Sequence, residues 1–250
     1  MKLIVLDTET TGLPPRMIGV TNRSNMHLWS HIIQLSYIIF DTELNEIEYV
    51  INEYINPDDS VKITEESTKI HGITKELLKK QGIPILDALT ELYKYIMKSN
   101  KNDVKLIGHN IGFDLNMIKI ETMRCNMSDP FKYWKTITLD DIYCTMKESV
   151  NLCKIPHKNS NSNSNISNTK NNKTVEYKYP TLVQLHVHLF NTMPINLHDA
   201  KLDIIITLRC YFMMIYKKDL ILPETSQTFS KLFNVNILLN KRGRSTHCKN

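Results

Sequence analysis

LIVLDTETTGL, residues Leu3 to Leu13, decides how the rest of the chain is read. Leu3 to Leu6 is an uninterrupted apolar run, the pattern of a strand covered on both faces. If the chain stays extended past Leu6, residues two apart share a face, so Asp7 and Glu9 project together while Thr8 points away. Two carboxylates side by side on a buried strand repel each other and lose hydration, which is costly unless a cation offsets it. DTETTG also reads as a turn with solvated acids, so the stretch needs company before it means chemistry. Gly12, Pro14 and Pro15 end the strand.

The company comes from two further stretches. GHNIGFD (Gly108–Asp114) follows a short apolar run at Val104–Ile107 and enters a helix over Phe113–Cys125. Gly108 and Gly112 allow close backbone approach, Asn110 can hold the loop through its side chain, and Asp114 falls in the first helical turn. LHDAKLD (Leu197–Asp203) opens the last helix. His198 and Asp203 are five apart, roughly 140° around an ideal helix, and cannot share its face. His198 must therefore precede the helix that carries Asp203, while Asp199 suits a helix start rather than a ligand. Acids grouped this way bind magnesium or manganese, which prefer oxygen ligands. Histidine adds the one side chain whose unperturbed titration falls near neutral pH.

Between these stretches the chain alternates. After a long connection over Arg16–Ser30, the β-rich segments His31–Phe40 and Glu46–Ile55 make a three-strand meander with the first strand. A helix starts near Thr64, and Ile85–Lys98 has helical periodicity. Thr136–Leu139 reads as a strand and Ile142–Ser149 as a helix. Lys158–Thr174, rich in Asn, Ser and Lys, reads as a disordered insertion. Leu182–Phe190 and Ala200–Tyr216 are helical, and the last residues are basic. Strands first, then strands alternating with helices, give an α/β protein with a mixed sheet flanked by helices.

Together the three acidic stretches resemble the motifs of the DEDDh branch of the DEDD exonuclease superfamily, the DnaQ-like family that includes proofreading subunits of DNA polymerase III and oligoribonucleases. DTETTGL is the first motif, GHNIGFD resembles HN-x-x-FD, and HDAKLD resembles H-x-A-x-x-D. KIHGI (Lys69–Ile73) lies between the first two, where the family carries a similar stretch. The resemblance runs from Lys2 to about Tyr216. It implies a ribonuclease H-like mixed five-stranded sheet flanked by α-helices. Residues 1–217 would be the exonuclease domain, with the insertion at about 158–174, followed by a basic tail over 218–250. It further implies two divalent ions, Mg²⁺ or Mn²⁺, held by Asp7, Glu9, Asp114 and Asp203, with His198 as general base. Thr10, Leu13, Glu66, His71, Asn110 and Phe113 would meet the terminal nucleotide. The reaction would be 3′–5′ hydrolysis of DNA, or of short RNA, releasing nucleoside 5′-monophosphates, with a DNA polymerase as a partner. A module that binds nucleic acid or polymerase without cleaving is the alternative of another class. Gln34 departs from the glutamate common in relatives, at a position expected to lie off the metal site.

Composition is compatible with this and adds little. The 250 residues include 31 Lys and Arg against 26 Asp and Glu, a formal charge of +5 that suits a polyanion only in a general way. Five dispersed cysteines without a CxxC pair point to reduced thiols rather than a disulfide framework; Cys144, Cys153 and His157 make an unfamiliar zinc spacing. No leader-like or membrane-spanning apolar stretch is visible, so the cytoplasm, or a nucleus reached passively, is the expected location.

Overall fold

The apolar run at the start of the chain forms a strand that outlasts it. In the computed structural model β1 spans Lys2–Thr10, so Asp7 and Glu9 stand on the strand itself and not in a turn beyond it. The structure describes residues 1–15, 19–98, 103–128, 141–157, 166–169, 172–194 and 199–220. β1 is flanked on one side by antiparallel β2 (Ile32–Asp41), which pairs in turn with antiparallel β3 (Glu46–Tyr54). On its other side it pairs in parallel with β4 (Val104–Gly108), and β4 with β5 (Ile142–Cys144). The order β3-β2-β1-β4-β5 is the mixed five-stranded sheet of a ribonuclease H-like fold.

β1 is central, and its alternating side chains serve two layers. Leu3 and Val5 pack with Ile204, Ile205, Leu208 and Phe212 of the last helix, α8 (Ala200–Tyr216). Ile4 and Leu6 face the opposite layer, with Leu89, Leu92 and Ile96 of α3 (Ile85–Lys98) and Met117 and Ile118 of α4 (Ile111–Arg124). β2 is buried at every position, as a strand with both faces covered must be. One extra residue interrupts its ladder with β1: Glu9 pairs with Gln34 but Thr10 with Ile32, which leaves Ile33 bulged. Ile33 joins a separate cluster with Ile73 and Leu78.

Several expectations are corrected. Ile142–Ser149 is not one helix: parallel pairing with β4 draws residues 142–144 into a strand, and helix α5 (Thr145–Glu148) starts only after it, followed by α6 (Val150–Cys153). A short helix after α1 (Glu65–His71) escaped the sequence reading. It is α2 (Lys75–Gln81), capped by the Thr74 side chain on Leu77 N–H and carrying Leu78 into the Ile33 cluster. Within the Asn/Ser-rich stretch, β6 (Ile166–Thr169) and β7 (Asn172–Val175) pair antiparallel. A backbone ladder gives order there without needing apolar side chains. The strand expected at Thr136–Leu139, the rest of that stretch and the tail after 220 lie outside the described residues. The remaining helix, α7 (Leu182–Phe190), starts with a capping box between Thr181 and Gln184. No helix of the described residues is long and apolar enough to cross a membrane.

Candidate functional site

Three carboxylates meet at the C-terminal end of β1. Asp7, Glu9 and Asp203 each offer an oxygen, and these atoms lie within 4.8 Å of one another. The strand alternation puts Asp7 and Glu9 on the α8 face, and Asp203 comes from the first turn of α8. All three are half-buried. Among the described residues no other group of acids, histidines or cysteines gathers this closely; Cys144, Cys153 and His157 do not form one.

Asp114 reaches the strand from the other layer. It sits in the first turn of α4, only 3% exposed, and accepts from the Thr8 backbone N–H at 3.0 Å and the Thr8 hydroxyl at 2.8 Å. Thr8 does point away from Asp7 and Glu9, as alternation requires, and that is what lets it hold Asp114. The fourth acid is thus locked to the back of the strand that carries the first two.

Crowded acids at low hydration resist ionisation, and this site shows it. Burial, then the charges of Asp114, Asp203 and Glu9, push the Asp7 carboxyl well above the usual range. Burial, then Asp203, Asp114 and Asp199, raise Glu9 to about 8. Burial raises Asp114 to about 7 against the opposing effect of its bonds from Thr8. An all-oxygen set that can ionise together only against mutual repulsion fits a hard divalent cation, which would relieve that repulsion.

The loop around the second motif is built differently from expectation. Gly108 is needed for close approach, because a Cβ there would meet Ile111 Cβ at 2.8 Å and the Leu6 carbonyl at 3.1 Å. Gly112 is not: nothing lies within 4 Å of where its Cβ would be. Asn110 makes no side-chain cap; it contributes a left-handed backbone, φ 72°, at the start of α4. His109, a residue sequence reasoning passed over, ties this loop to the α7 side of the fold. Its Nε2–H donates to the Pro180 carbonyl at 3.1 Å and its Nδ1 meets the Thr145 hydroxyl at 3.0 Å.

The residues expected around the terminal nucleotide come from β1 and the segment after it, from α1 and from the start of α4. Thr64 N–H donates to the Thr11 carbonyl at 3.0 Å, which brings the start of α1 to the end of β1. Glu66 is exposed in the first turn of α1. His71, in its last turn, accepts the Ile73 N–H on Nδ1 at 3.0 Å, which leaves the ring proton of the neutral form on Nε2. Leu13 is 85% exposed, whereas Thr10 is buried and its hydroxyl donates to the Gly12 carbonyl at 2.8 Å. Phe113 is half-buried against the α3/α4 core. His198 lies outside the described residues. Asp199 is the N-cap of α8, as its position after the motif histidine suggested.

Known proteins of similar sequence and shape place this geometry in a family. The RNase_T family, described as Exonuclease, matches residues 4–166. The DNA polymerase III subunit epsilon of Rickettsia conorii is 29% identical over 137 residues, 52% of this chain and 47% of that protein. The chain thus spans about half the length of that curated relative. E. coli exonuclease I in complex with a dA16 oligonucleotide superposes with a TM-score of 0.58 at 18% identity, over 93% of this chain and 43% of that one. A 3′-exonuclease with 3′-end specific recognition of a histone mRNA stem-loop gives 0.57 at 14% identity, over 87% of this chain and 83% of that one. At such identities the two structures speak for the fold alone. With the family pattern covering more than half of the chain and the acidic stretches meeting on one strand, the chain belongs to the RNase_T exonuclease family, in the DEDDh, DnaQ-like group its motifs resemble.

Proposed function

We propose that this chain is a divalent-metal-dependent 3′–5′ exonuclease acting on DNA ends. The convergence of the Asp7, Glu9 and Asp203 carboxylates within 4.8 Å carries the reading. Asp7, Glu9 and Asp203 would hold the metal directly, and Asp114 would complete the set from behind the strand. Mg²⁺ or Mn²⁺ bound there supplies charge stabilisation to the attacking and leaving oxygens of an in-line phosphoryl displacement. The protein's own part is to hold those oxygen ligands rigid on β1, α4 and α8. His198, directly before the α8 cap in sequence, would take the proton of the attacking water, a role worth on the order of 10²–10⁴ in rate. Glu66 and His71 on α1, with Leu13 and Phe113, would receive the 3′-terminal nucleotide. Thr10 and Asn110 would shape that receptor through the backbone they fix.

DNA is preferred over RNA because the curated relative is a DNA polymerase III subunit, which also makes a separate polymerase the natural partner. The test is degradation of a 5′-labelled single-stranded DNA and its RNA counterpart with Mg²⁺, Mn²⁺ or EDTA. Metal-dependent shortening from the 3′ end, faster on DNA and reduced to background in Asp7→Ala, is the expected result. Faster loss of RNA would move the substrate class. Tight binding of both without cleavage would make the chain a binding module.

A further inference from the structure

β2 is apolar along the face it shows to α8, except at two positions. Gln34 and Ser36 are 1% and 0% exposed, and they pair directly across from Glu9 and Asp7 of the acidic cluster. The Gln34 amide is fully engaged. Its Nε2 donates to Asn52 Oδ1 on β3 at 2.8 Å and to Asp199 Oδ1 at 3.1 Å, while its Oε1 accepts from Ala200 N–H at 3.4 Å. The partners fix which end is which, because a carboxylate only accepts and a backbone N–H only donates. Ser36 donates to the same Asn52 oxygen at 2.6 Å.

These bonds end at the first turn of α8. The opening N–H groups of a helix have no partner within it and must find one elsewhere. Here Ala200 N–H goes to Gln34 and Lys201 N–H to the Asp199 side chain at 3.0 Å. Leu202 and Asp203 N–H go to the Asp199 carbonyl at 2.8 and 3.0 Å. Two residues, Gln34 and Asp199, therefore hold the turn that carries Asp203, and Gln34 is the one anchored in the sheet.

We propose that Gln34 is a positioning residue for the acidic cluster: its amide docks the first turn of α8 onto β2 and so sets Asp203 against Asp7 and Glu9. Its bearing on catalysis rests on the metal-dependent reading above; the docking itself does not. With Asn52, Asp199 and the Ala200 N–H as its partners in this chain, position 34 requires a group that both donates and accepts. A glutamate would turn two acceptors toward Asp199 and Asn52, while an apolar side chain would strand the Ala200 N–H. The pairing can be inverted, however. Combining Gln34→Glu with Asp199→Asn restores a donor opposite an acceptor, and the Asn52 amide can turn to donate.

The test compares wild type, Gln34→Glu, Asp199→Asn and the double variant. Hydrogen exchange of the peptide covering 199–206 is measured without metal, then Mn²⁺ affinity, then kcat and KM on single-stranded DNA. Gln34→Glu should exchange at least about tenfold faster at the start of α8 and bind Mn²⁺ about tenfold more weakly. Its kcat should fall in parallel, with KM within about threefold, because the residues proposed to meet the terminal nucleotide are untouched. The double variant should recover to within about threefold of Asp199→Asn, as a specific donor–acceptor pair requires. Unchanged exchange in Gln34→Glu would overturn the docking role, and so would a double variant no better than Gln34→Glu. Faster exchange with unchanged Mn²⁺ affinity would overturn the link to the cluster. Wild type that neither binds Mn²⁺ nor cleaves would remove the metal reading, while the exchange comparison would still decide the docking. If Gln34→Glu does not fold, Gln34→Met, of similar length and without polar ends, carries the exchange and affinity comparison.

Discussion

Asp203 works against the fold it belongs to. Its charge helps raise the carboxyls of Asp7 and Glu9, so each ionised acid makes the next more expensive. Asp203→Asn should therefore raise the metal-free melting temperature at pH 7.5 by about 2–4 °C, the shift made by roughly 1 kcal/mol in a domain of this size. The same substitution should remove metal-dependent cleavage; a lower melting temperature would show that Asp203 is held by bonds worth more than the repulsion it causes. At this scale the sequence was most informative where side-chain direction follows from backbone periodicity. Asp7, Glu9 and Thr8 point as two-residue alternation says they must. It was least informative where a partner lies far along the chain. Nothing near Gln34 announces Asp199, 165 positions on, and Thr8 gives no hint of Asp114. A cue existed all the same: Gln34 and Ser36 interrupt an otherwise apolar strand at alternate positions, and buried polar side chains need partners.

Helix α4 does two jobs at its two ends. Its first turn presents Asp114, and its last turn clamps the connection between β1 and β2. Arg124 donates to the Ser30, Met26 and Trp29 carbonyls at 2.8, 2.8 and 2.6 Å and to Glu121 Oε1 at 2.6 Å. Glu121, 2% exposed, also accepts the Ile32 N–H at 3.1 Å. Arg124→Ala would leave that carboxylate buried without its cation and strand three carbonyls. Urea denaturation should show a loss of about 3–5 kcal/mol; a loss below about 1 kcal/mol would mean that the connection finds other anchors. This clamp explains how a stretch that reads as a long loop from sequence is fixed in place, with a 3₁₀ turn at Met26–Leu28. Long elements were legible: α3 from its helical periodicity and α8 from its extended apolar run. The short ones were not: β5 has three residues and exists because β4 offers a parallel edge, which local propensity cannot reveal.

The whole molecule carries two opposed responses to pH. Glu9 and Asp114, at about 8 and 7 against ordinary values of 4.5 and 3.8, keep their protons longer when folded. Their contribution is present in acid and is lost as pH rises toward 8. His109 and His186 are both lowered from 6.5 to about 4, chiefly by burial, so they favour the fold above 6.5 and lose that contribution as pH falls toward 4. Above pH 6.5 only the carboxyl limb remains. The metal-free protein should therefore lose about 5 °C or more in melting temperature between pH 6.5 and 8. Millimolar Mn²⁺ should abolish the decline, and a decline that survives Mn²⁺ would place its source away from the acidic cluster. Along its ladder with β1, β2 keeps strict parity on either side of a single exception. Ile32 and Leu35 face the same layer although three positions separate them, because Ile33 has stepped out of the alternation. Removing Ile33 would let β2 pair with β1 without a break and leave every remaining side chain on its present side. What would go is the residue that reaches across to Ile73 and Leu78. The sheet would keep its order, and the α1–α2 pair that bears Glu66 and His71 would lose its apolar anchor on β2.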